Sequence, residues 1–311
     1  MKLISIVVPC YNEEETIPLF YDAITKILKS IEEDYEIIFI NDGSTDNSLT
    51  KIKDLKDVKY LSFSRNFGKE AALYAGLENS QGDYVVVMDV DLQDPPELII
   101  DMLDLIKTTD FDIIGTRRVS RKGEPPIRSF FARLFYKLMN RFSNVELVDG
   151  ARDFRLMTRQ VIDAILRLDE YNRFSKGLFQ WVGFKTKWLE YENVERAAGE
   201  TSWSFWGLVQ YSIEGIVSFT TAPLSISTFL GIIFSIIAFL LILFVVLKNL
   251  LYSDPVQGWA STICIILLLG GVQLFSIGIL GKYLEKTYLE VKNRPIYLIK
   301  ETNIEKSKNR L

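Results

Sequence analysis

Two apolar runs near the carboxyl end constrain this 311-residue chain more than any other feature. ISTFLGIIFSIIAFLLILFVVL (Ile226–Leu247) and ASTICIILLLGGVQLFSIGILG (Ala260–Gly281) contain no charged residue. As helices, each rises about 33 Å, enough to cross the hydrocarbon core of a bilayer. Between Gly215 and Gly281 only Lys248 and Asp254 are charged. The link KNLLYSDPVQGW is short, so the two runs predict a transmembrane hairpin. The tail carries Lys282, Lys286, Lys292, Arg294, Lys300, Lys306, Lys308 and Arg310, while the link carries only Lys248. That bias places both chain ends in the cytoplasm. Trp203, Trp206 and Tyr211 on one side, and Tyr252 and Trp259 on the other, suit interfacial belts. A buried soluble hairpin is the competing reading, and the length of the uncharged stretch weighs against it.

The rest of the chain is mixed in character. It reads as a soluble unit over residues 1–203, an interfacial linker over 204–223 and the membrane domain over 224–311. Apolar strands are expected at Ile4–Pro9, in YEIIFINDGS, at Val58–Ser62, at Asp83–Met88 and in FDIIGTR. Helices are expected between them at Ile17–Ile31, Lys69–Asn79 and Glu97–Lys107. This alternation implies a mostly parallel α/β sheet covered on both faces. Ligands of such sheets bind beyond the carboxyl ends of the strands. The opening MKLISIVVPCYNEEE turns polar too soon for a signal peptide and reads as a first strand. Ile127–Phe142 reads as a basic amphipathic helix, either packed on the sheet or lying on an anionic membrane face.

Composition removes several chemistries. There is no histidine, so His-based zinc sites and Ser-His-Asp or Cys-His catalysis are excluded. Cys10 and Cys264 fall in an expected core strand and an expected membrane span, which argues against a disulfide or a CxxC site. A net charge of -4 leaves no basic excess for nucleic acid. Neither GxGxxG nor GxxxxGK[ST] occurs.

VVVMDVDLQDPPE (Val85–Glu97) carries the strongest chemical signal. In a strand, Asp89 and Asp91 share a face while Val90 points back. Two such carboxylates repel unless a cation sits between them. Either they are solvated acids at a strand end, or they hold a hard divalent ion that also takes substrate phosphates. Gln93 offers a further oxygen. Asp94, Pro95, Pro96 and Glu97 read as a helix start with Asp94 as its cap. Asp42 in NDGSTDNS closes the second strand, with Gly43 permitting a tight turn. Tyr11 and Glu13 of PCYNEEE close the first. Each loop alone is ordinary turn chemistry; together they make a crevice suited to a nucleoside and a metal-bound diphosphate.

SIVVPCYNEEE, INDGSTDNS, SRNFGKEAALYAGL, DVDLQDPPE and DFRLM, in this order, resemble glycosyltransferase family 2. The chain is most similar there to bacterial polyisoprenyl-phosphate glycosyltransferases and, more distantly, to dolichyl-phosphate mannose synthases. The resemblance covers nearly the whole chain. It implies a GT-A fold, a nucleotide-activated sugar as donor and a lipid phosphate as acceptor. It also implies site residues. Pro9, Tyr11, Glu13 and Asp42 would hold the base and ribose; Asp89, Asp91 and Gln93 would hold Mg²⁺ or Mn²⁺ on the diphosphate. Arg117 and Arg128 would meet the acceptor phosphate, and Arg196 of ERAAGETSW would contact the donor. Asp153 of DFRLM matches the family acid beside the sugar, often called the base; some relatives carry a basic residue near Ser202, which this chain lacks.

A phosphate monoester has a second pKa of about 6, so the acceptor is largely ionised near neutrality. Asp153 is therefore expected to position groups or to support oxocarbenium character, with proton abstraction the lesser role. The expected activity is inverting transfer of one sugar from a UDP-sugar to undecaprenyl phosphate at the cytoplasmic face of the bacterial plasma membrane. UDP over GDP rests on the bacterial-type resemblance alone, and glucose, N-acetylglucosamine and galactose stay open. The resemblance also implies a homo-oligomer, with a separate flippase and a downstream transferase as partners. Two alternatives stand. A processive polysaccharide synthase would carry QxxRW and more spans, whereas FQWVGF has Gln180 beside Trp181 without that spacing. A non-catalytic nucleotide-binding scaffold would have no need of Asp89, Asp91 and Asp153 together.

Overall fold

A computed structural model describes residues 2–119, 136–137, 139–143, 145, 147–192, 213–252 and 258–305. The strands are β1 (Leu3–Cys10), β2 (Asp34–Asn41), β3 (Val58–Phe63), β4 (Tyr84–Val87), β5 (Ile113–Arg118), β6 (Ala151–Thr158), β7 (Thr186–Tyr191) and β8 (Ile299–Thr302). They form one sheet in the order β7-β5-β6-β4-β1-β2-β3-β8. The pairs β1–β2, β1–β4, β2–β3 and β5–β7 are parallel. β6 lies antiparallel between β4 and β5, and β8 pairs antiparallel with the edge of β3. The expected parallel α/β sheet is present, with these two reversed strands and the parallel β7, none of them expected as strands, added.

Helices α1 (Thr16–Leu28), α2 (Ser48–Lys53), α3 (Lys69–Asn79), α4 (Leu98–Thr108), α5 (Arg159–Leu166) and α6 (Ser175–Trp181) accompany the sheet. Alternating strand residues feed two cores. Ile4, Ile6 and Val8 pack with Phe20, Phe39 and Met102 in one; Val7, Ile38 and Ile40 pack with Ala72, Leu73 and Phe179 in the other. Continuous burial of β1, β2 and β4 on both faces is what makes their sequences read as unbroken apolar runs. Gly76 lets α3 lie close on this sheet, because a Cβ there would collide with Val7 and Ile40 side chains.

The described end of the basic amphipathic segment is helical at 136–137 and 139–142. Met139 is buried with Val145, Leu147 and Phe174, and Tyr136, Ile216 and Phe219 pack against them. The face presented by this end is therefore packed against protein. The earlier part of the segment, including Arg128, lies outside the described residues, as do Trp203, Trp206 and Tyr211.

Two long helices follow, α7 (Ala222–Tyr252) and α8 (Trp259–Val291). Both have stretches apolar and long enough to cross a membrane, none of it buried against protein. They extend beyond the apolar runs 226–247 and 260–281. In α8 the added turns carry Lys282, which pairs with Glu285 at 2.8 Å one turn on. After α8 the chain returns to the sheet as β8, where Leu61 pairs with Thr302 and Ser62 with Glu301. Both ends of the helix pair are thus attached to the same domain. Tyr283 hydroxyl donates to Thr220 O at 2.6 Å across the base of the pair.

Candidate active site

The carboxyl ends of β1, β2, β4 and β5 and the start of β6 lie along one edge of the sheet. Val87 is opposite Arg155, so the residues just beyond β4 face those that open β6. Asp89 and Asp153 come together there, and the amino end of α3 closes the gap.

One correction concerns β4. The sequence ends the fourth strand at Met88 and extends its alternation to Asp89 and Asp91, but the ladder stops at Val87. A last backbone bond, Met88 N–H to Val7 O at 3.1 Å, is followed by a turn in which Leu92 has φ +55°. The expected alternation survives as burial: Met88 and Val90 enter the core while Asp89 and Asp91 stay half-buried. Asp91 Oδ1 accepts the N–H of Gln93 at 3.2 Å. The Gln93 side-chain oxygen accepts from Arg152 at 3.2 Å.

A second correction concerns Asp94. It does not cap α4, whose cap residue is Glu97. Asp94 is 1% exposed, and its Oδ1 accepts from Arg152 Nε at 3.1 Å and from the Tyr191 hydroxyl. The physical reason is burial: an acid so deep in the protein takes a guanidinium rather than a solvent-facing cap.

Lys69 is the residue that sequence reasoning missed. Its ammonium lies 2.8 and 2.9 Å from the two Asp89 oxygens and 2.6 Å from Asp153 Oδ2. Burial opposes its charge, yet Asp153 and Asp89 together raise its pKa above the lysine range. Burial would also raise Asp153, but Lys69, with Lys176 and Arg155 beside it, holds that carboxyl well below the usual range. A signal was available. Lys69 opens α3, where the helix dipole disfavours a cation by about 0.3–1 kcal/mol. A lysine placed so asks for compensating acids.

The neighbours of Lys69 are also fixed. Asp42 is 3% exposed and accepts the N–H groups of Phe67 at 2.6 Å and Gly68 at 2.9 Å. Its pKa is raised by burial, partly offset by those two donors and Arg65. Gly43, at φ +66°, leaves no room for a Cβ against the Arg65 backbone. Glu70 accepts the Ser175 N–H at 2.8 Å and the Ser175 hydroxyl. Arg155 is buried, stacks 3.9 Å from the Phe179 ring centre and donates to the carbonyls of Asp153 and Arg152.

The remaining expected residues are placed as follows. Pro9 is buried in β1, and Tyr11 just beyond it is 42% exposed. The Glu13 carboxylate accepts the Thr16 hydroxyl at 2.7 Å. The loop holding both is laced to the β2 loop: Asn12 N–H donates to Ser44, Glu13 N–H to Ser48 and Glu14 N–H to Asp46. Arg117 at the end of β5 pairs with Glu190 of β7 at 2.6 Å. Arg196 and Ser202 lie outside the described residues.

The donor set can be tested for a divalent cation. Among the described residues, no three acidic or cysteine side chains are gathered as a self-sufficient metal cage. Two hard carboxylates on one turn, Asp89 and Asp91, are the set expected of an ion that completes its shell with substrate phosphates. The residues present therefore fit Mg²⁺ or Mn²⁺ arriving with a diphosphate.

A mostly parallel sheet with an inserted antiparallel strand, carrying these acids at the carboxyl ends of its strands, is a GT-A arrangement, and the protein is a glycosyltransferase. The glycosyl transferase family 2 model matches residues 5–166, and the chain belongs to that family. CsbB of Bacillus subtilis (strain 168), by name a glycosyltransferase, is 46% identical over 306 residues, 97% of this chain and 92% of its own. The prophage bactoprenol glucosyl transferase homolog of Escherichia coli (strain K12) is 42% identical over 301 residues, 96% of this chain and 98% of its own. Among solved structures, glucosyl-3-phosphoglycerate synthase from Mycobacterium tuberculosis, bound to Mn²⁺, UDP-glucose and phosphoglyceric acid, matches with a TM-score of 0.47. That match has 20% identity and covers 70% of this chain and 78% of the other.

Proposed function

We propose that this enzyme transfers one glucose from UDP-glucose to a polyprenyl phosphate, with inversion, at the cytoplasmic surface of a bacterial membrane. The observation that carries the reading is the Asp89–Lys69–Asp153 triad in a domain tied at both ends to a pair of unburied apolar helices. Relatives similar over nearly their whole length are named bactoprenol glucosyl transferases, which favours glucose and a polyprenyl acceptor. The basic residues after Gly281 support a cytoplasmic domain, and the return of β8 to the sheet supports a hairpin with both ends on one side.

In this reading Tyr11 gives an aromatic face to the donor base. Pro9, Glu13 and Asp42 shape that end of the crevice. Asp42 and Glu13 act through the loops they brace, since their oxygens already hold Phe67, Gly68 and Thr16. Asp89 and Asp91 would hold a divalent cation, whose Lewis acidity would offset charge on the departing diphosphate. Gln93 stands behind them on Arg152. Arg117 draws the acceptor phosphate into line, where placement itself lowers the barrier. Arg128 and Arg196 are assigned to acceptor and donor by resemblance.

Asp153 does not take a proton in this scheme. Its negative charge is fixed by Lys69 and stays beside the sugar, where it favours developing positive character at the anomeric carbon. The acceptor phosphate is already an anion and attacks directly.

The test is UDP release from UDP-glucose by the purified full chain in detergent, with undecaprenyl phosphate. Release that needs lipid phosphate and Mg²⁺ or Mn²⁺, and that Asp91→Asn abolishes, supports the reading. Lipid-independent release, or release no faster from UDP-glucose than from UDP-N-acetylglucosamine or UDP-galactose, sinks it, and a polymeric product would move the assignment to a processive synthase.

A further inference from the structure

Lys69 and a divalent cation would compete for the same carboxylate. The ammonium faces both oxygens of Asp89, and Asp91, two residues on, accepts the Gln93 N–H on the same turn. Lys69 cannot easily withdraw. Its backbone opens α3, the preceding Phe67 and Gly68 are pinned to Asp42, and the following Glu70 is pinned to Ser175. Asp153 holds the ammonium from the other side at 2.6 Å.

A divalent ion on Asp89 and Asp91 therefore meets a fixed positive charge in a half-buried site. Two cations that share one carboxylate repel strongly where water is partly excluded. A diphosphate brings the negative charge that offsets this repulsion. We propose that Lys69 makes the metal site conditional on the nucleotide: the ammonium spoils Asp89 for a bare divalent ion and admits one only together with a diphosphate. Lys69 is a positioning residue in this account, since its effect on the ion runs through Asp89. The proposal rests on the reading of Asp89 and Asp91 as the metal carboxylates.

The coupling is reciprocal, so it can be read from either ligand. Mn²⁺ binding to the full chain in detergent, followed by the loss of the free-ion electron paramagnetic resonance signal with the loss to UDP alone, measured without protein, subtracted, gives a readout independent of turnover. In the unaltered protein, UDP should tighten Mn²⁺ binding by about tenfold or more. Lys69→Met should bind Mn²⁺ alone about tenfold more tightly than the unaltered protein, with a smaller further gain from UDP. Lys69→Arg should keep the original pattern. An unchanged Mn²⁺ affinity in Lys69→Met overturns the proposal. So does equal Mn²⁺ affinity with and without UDP in the unaltered protein, a result that needs no variant to fold. If the unaltered protein holds no Mn²⁺ even with UDP, the metal reading of Asp89 and Asp91 falls first and takes this proposal with it.

Discussion

Asn172 gives two hydrogen bonds to Glu290: its backbone N–H and its side-chain amide both reach Oε1 at 3.0 Å. The two residues lie 118 positions apart, one in the loop before α6 and the other in the last turn of α8. Tyr171 N–H adds a bond to Oε2 at 3.1 Å, and Lys286 Nζ donates to Asn172 Oδ1 at 3.1 Å. The same loop leads to Ser175, which binds Glu70 beside Lys69. The end of the second long helix is therefore joined to the segment that braces Glu70, next to Lys69.

Glu290→Ala should loosen this joint. The bonds are solvent-exposed, so the stability loss should be about 1 kcal/mol. Amide hydrogen exchange at Tyr171 and Asn172 should accelerate, and turnover should drop several-fold. Unchanged exchange at those two amides would show that the joint holds without Glu290.

The triad also sets a pH expectation. Asp153 has a lowered pKa, so its contribution to stability is present above the unfolded value of about 3.9 and is lost only as pH falls through the lower folded value. Lys69 has a raised pKa, so its contribution is present below about 10.4 and is lost as pH rises through the higher folded value. Neither group changes charge between pH 5 and 9. The acidic limb of the rate profile should follow the acceptor phosphate, near its second pKa of about 6. Asp153→Asn should lower turnover by roughly a hundredfold and keep that limb. Selective loss of the limb in Asp153→Asn, with chemistry rate-limiting, would make Asp153 a proton acceptor instead.

The parallel half of the sheet and the two long helices were legible because each rests on local periodicity. β1, β2 and β4 are apolar runs of the expected length, and 226–247 and 260–281 are too apolar for anything but exposed spans or a deep core. β6 was read only as a motif, because its place between β4 and β5 depends on pairing with residues more than thirty positions away. β8 was hidden in a tail whose lysines gave it the look of a basic, solvated end. The acids of the site were visible as DVD and DFR, but the cation that joins them was not. The lysine that opens α3 hints at compensating acids, but which acids it meets is decided only when the topology sets that amino end against β4 and β6.

The tail strand should matter to stability. Tyr297, just before β8, stacks on Phe63 with ring centres 5.0 Å apart and planes at 22°, and it donates to Glu78. Glu301 pairs with Lys53 and accepts the Tyr60 hydroxyl at 2.8 Å. Tyr297→Ala should cost about 2 kcal/mol, less than a fully buried aromatic because the ring is only partly buried. Removing 296–305 should go further, since it strips the cover from β3 and leaves an unpaired strand edge open to self-association. A lower melting midpoint for the point variant, and aggregation for the truncation, are the expected results in detergent. A truncated protein that stays monodisperse at full thermal stability would make β8 dispensable.

Arg117 offers a sharper choice, because its ion pair with Glu190 at 2.6 Å gives it a structural role that needs no acceptor. Both side chains are substantially exposed, at 39% and 54%, so the pair contributes about 0–1 kcal/mol to folding. If Arg117 serves only that pair, Arg117→Ala and Glu190→Gln should behave alike, with a small stability change and full activity. If Arg117 receives the lipid phosphate, the two variants diverge. Arg117→Ala should raise the KM for polyprenyl phosphate by about tenfold or more, in line with loss of a charge-assisted phosphate contact. Glu190→Gln should leave that KM unchanged or lower it, because it frees the guanidinium from a competing carboxylate. Measuring both variants against acceptor concentration, with donor saturating, separates the two roles: matched kinetics would assign Arg117 to the strand edge alone.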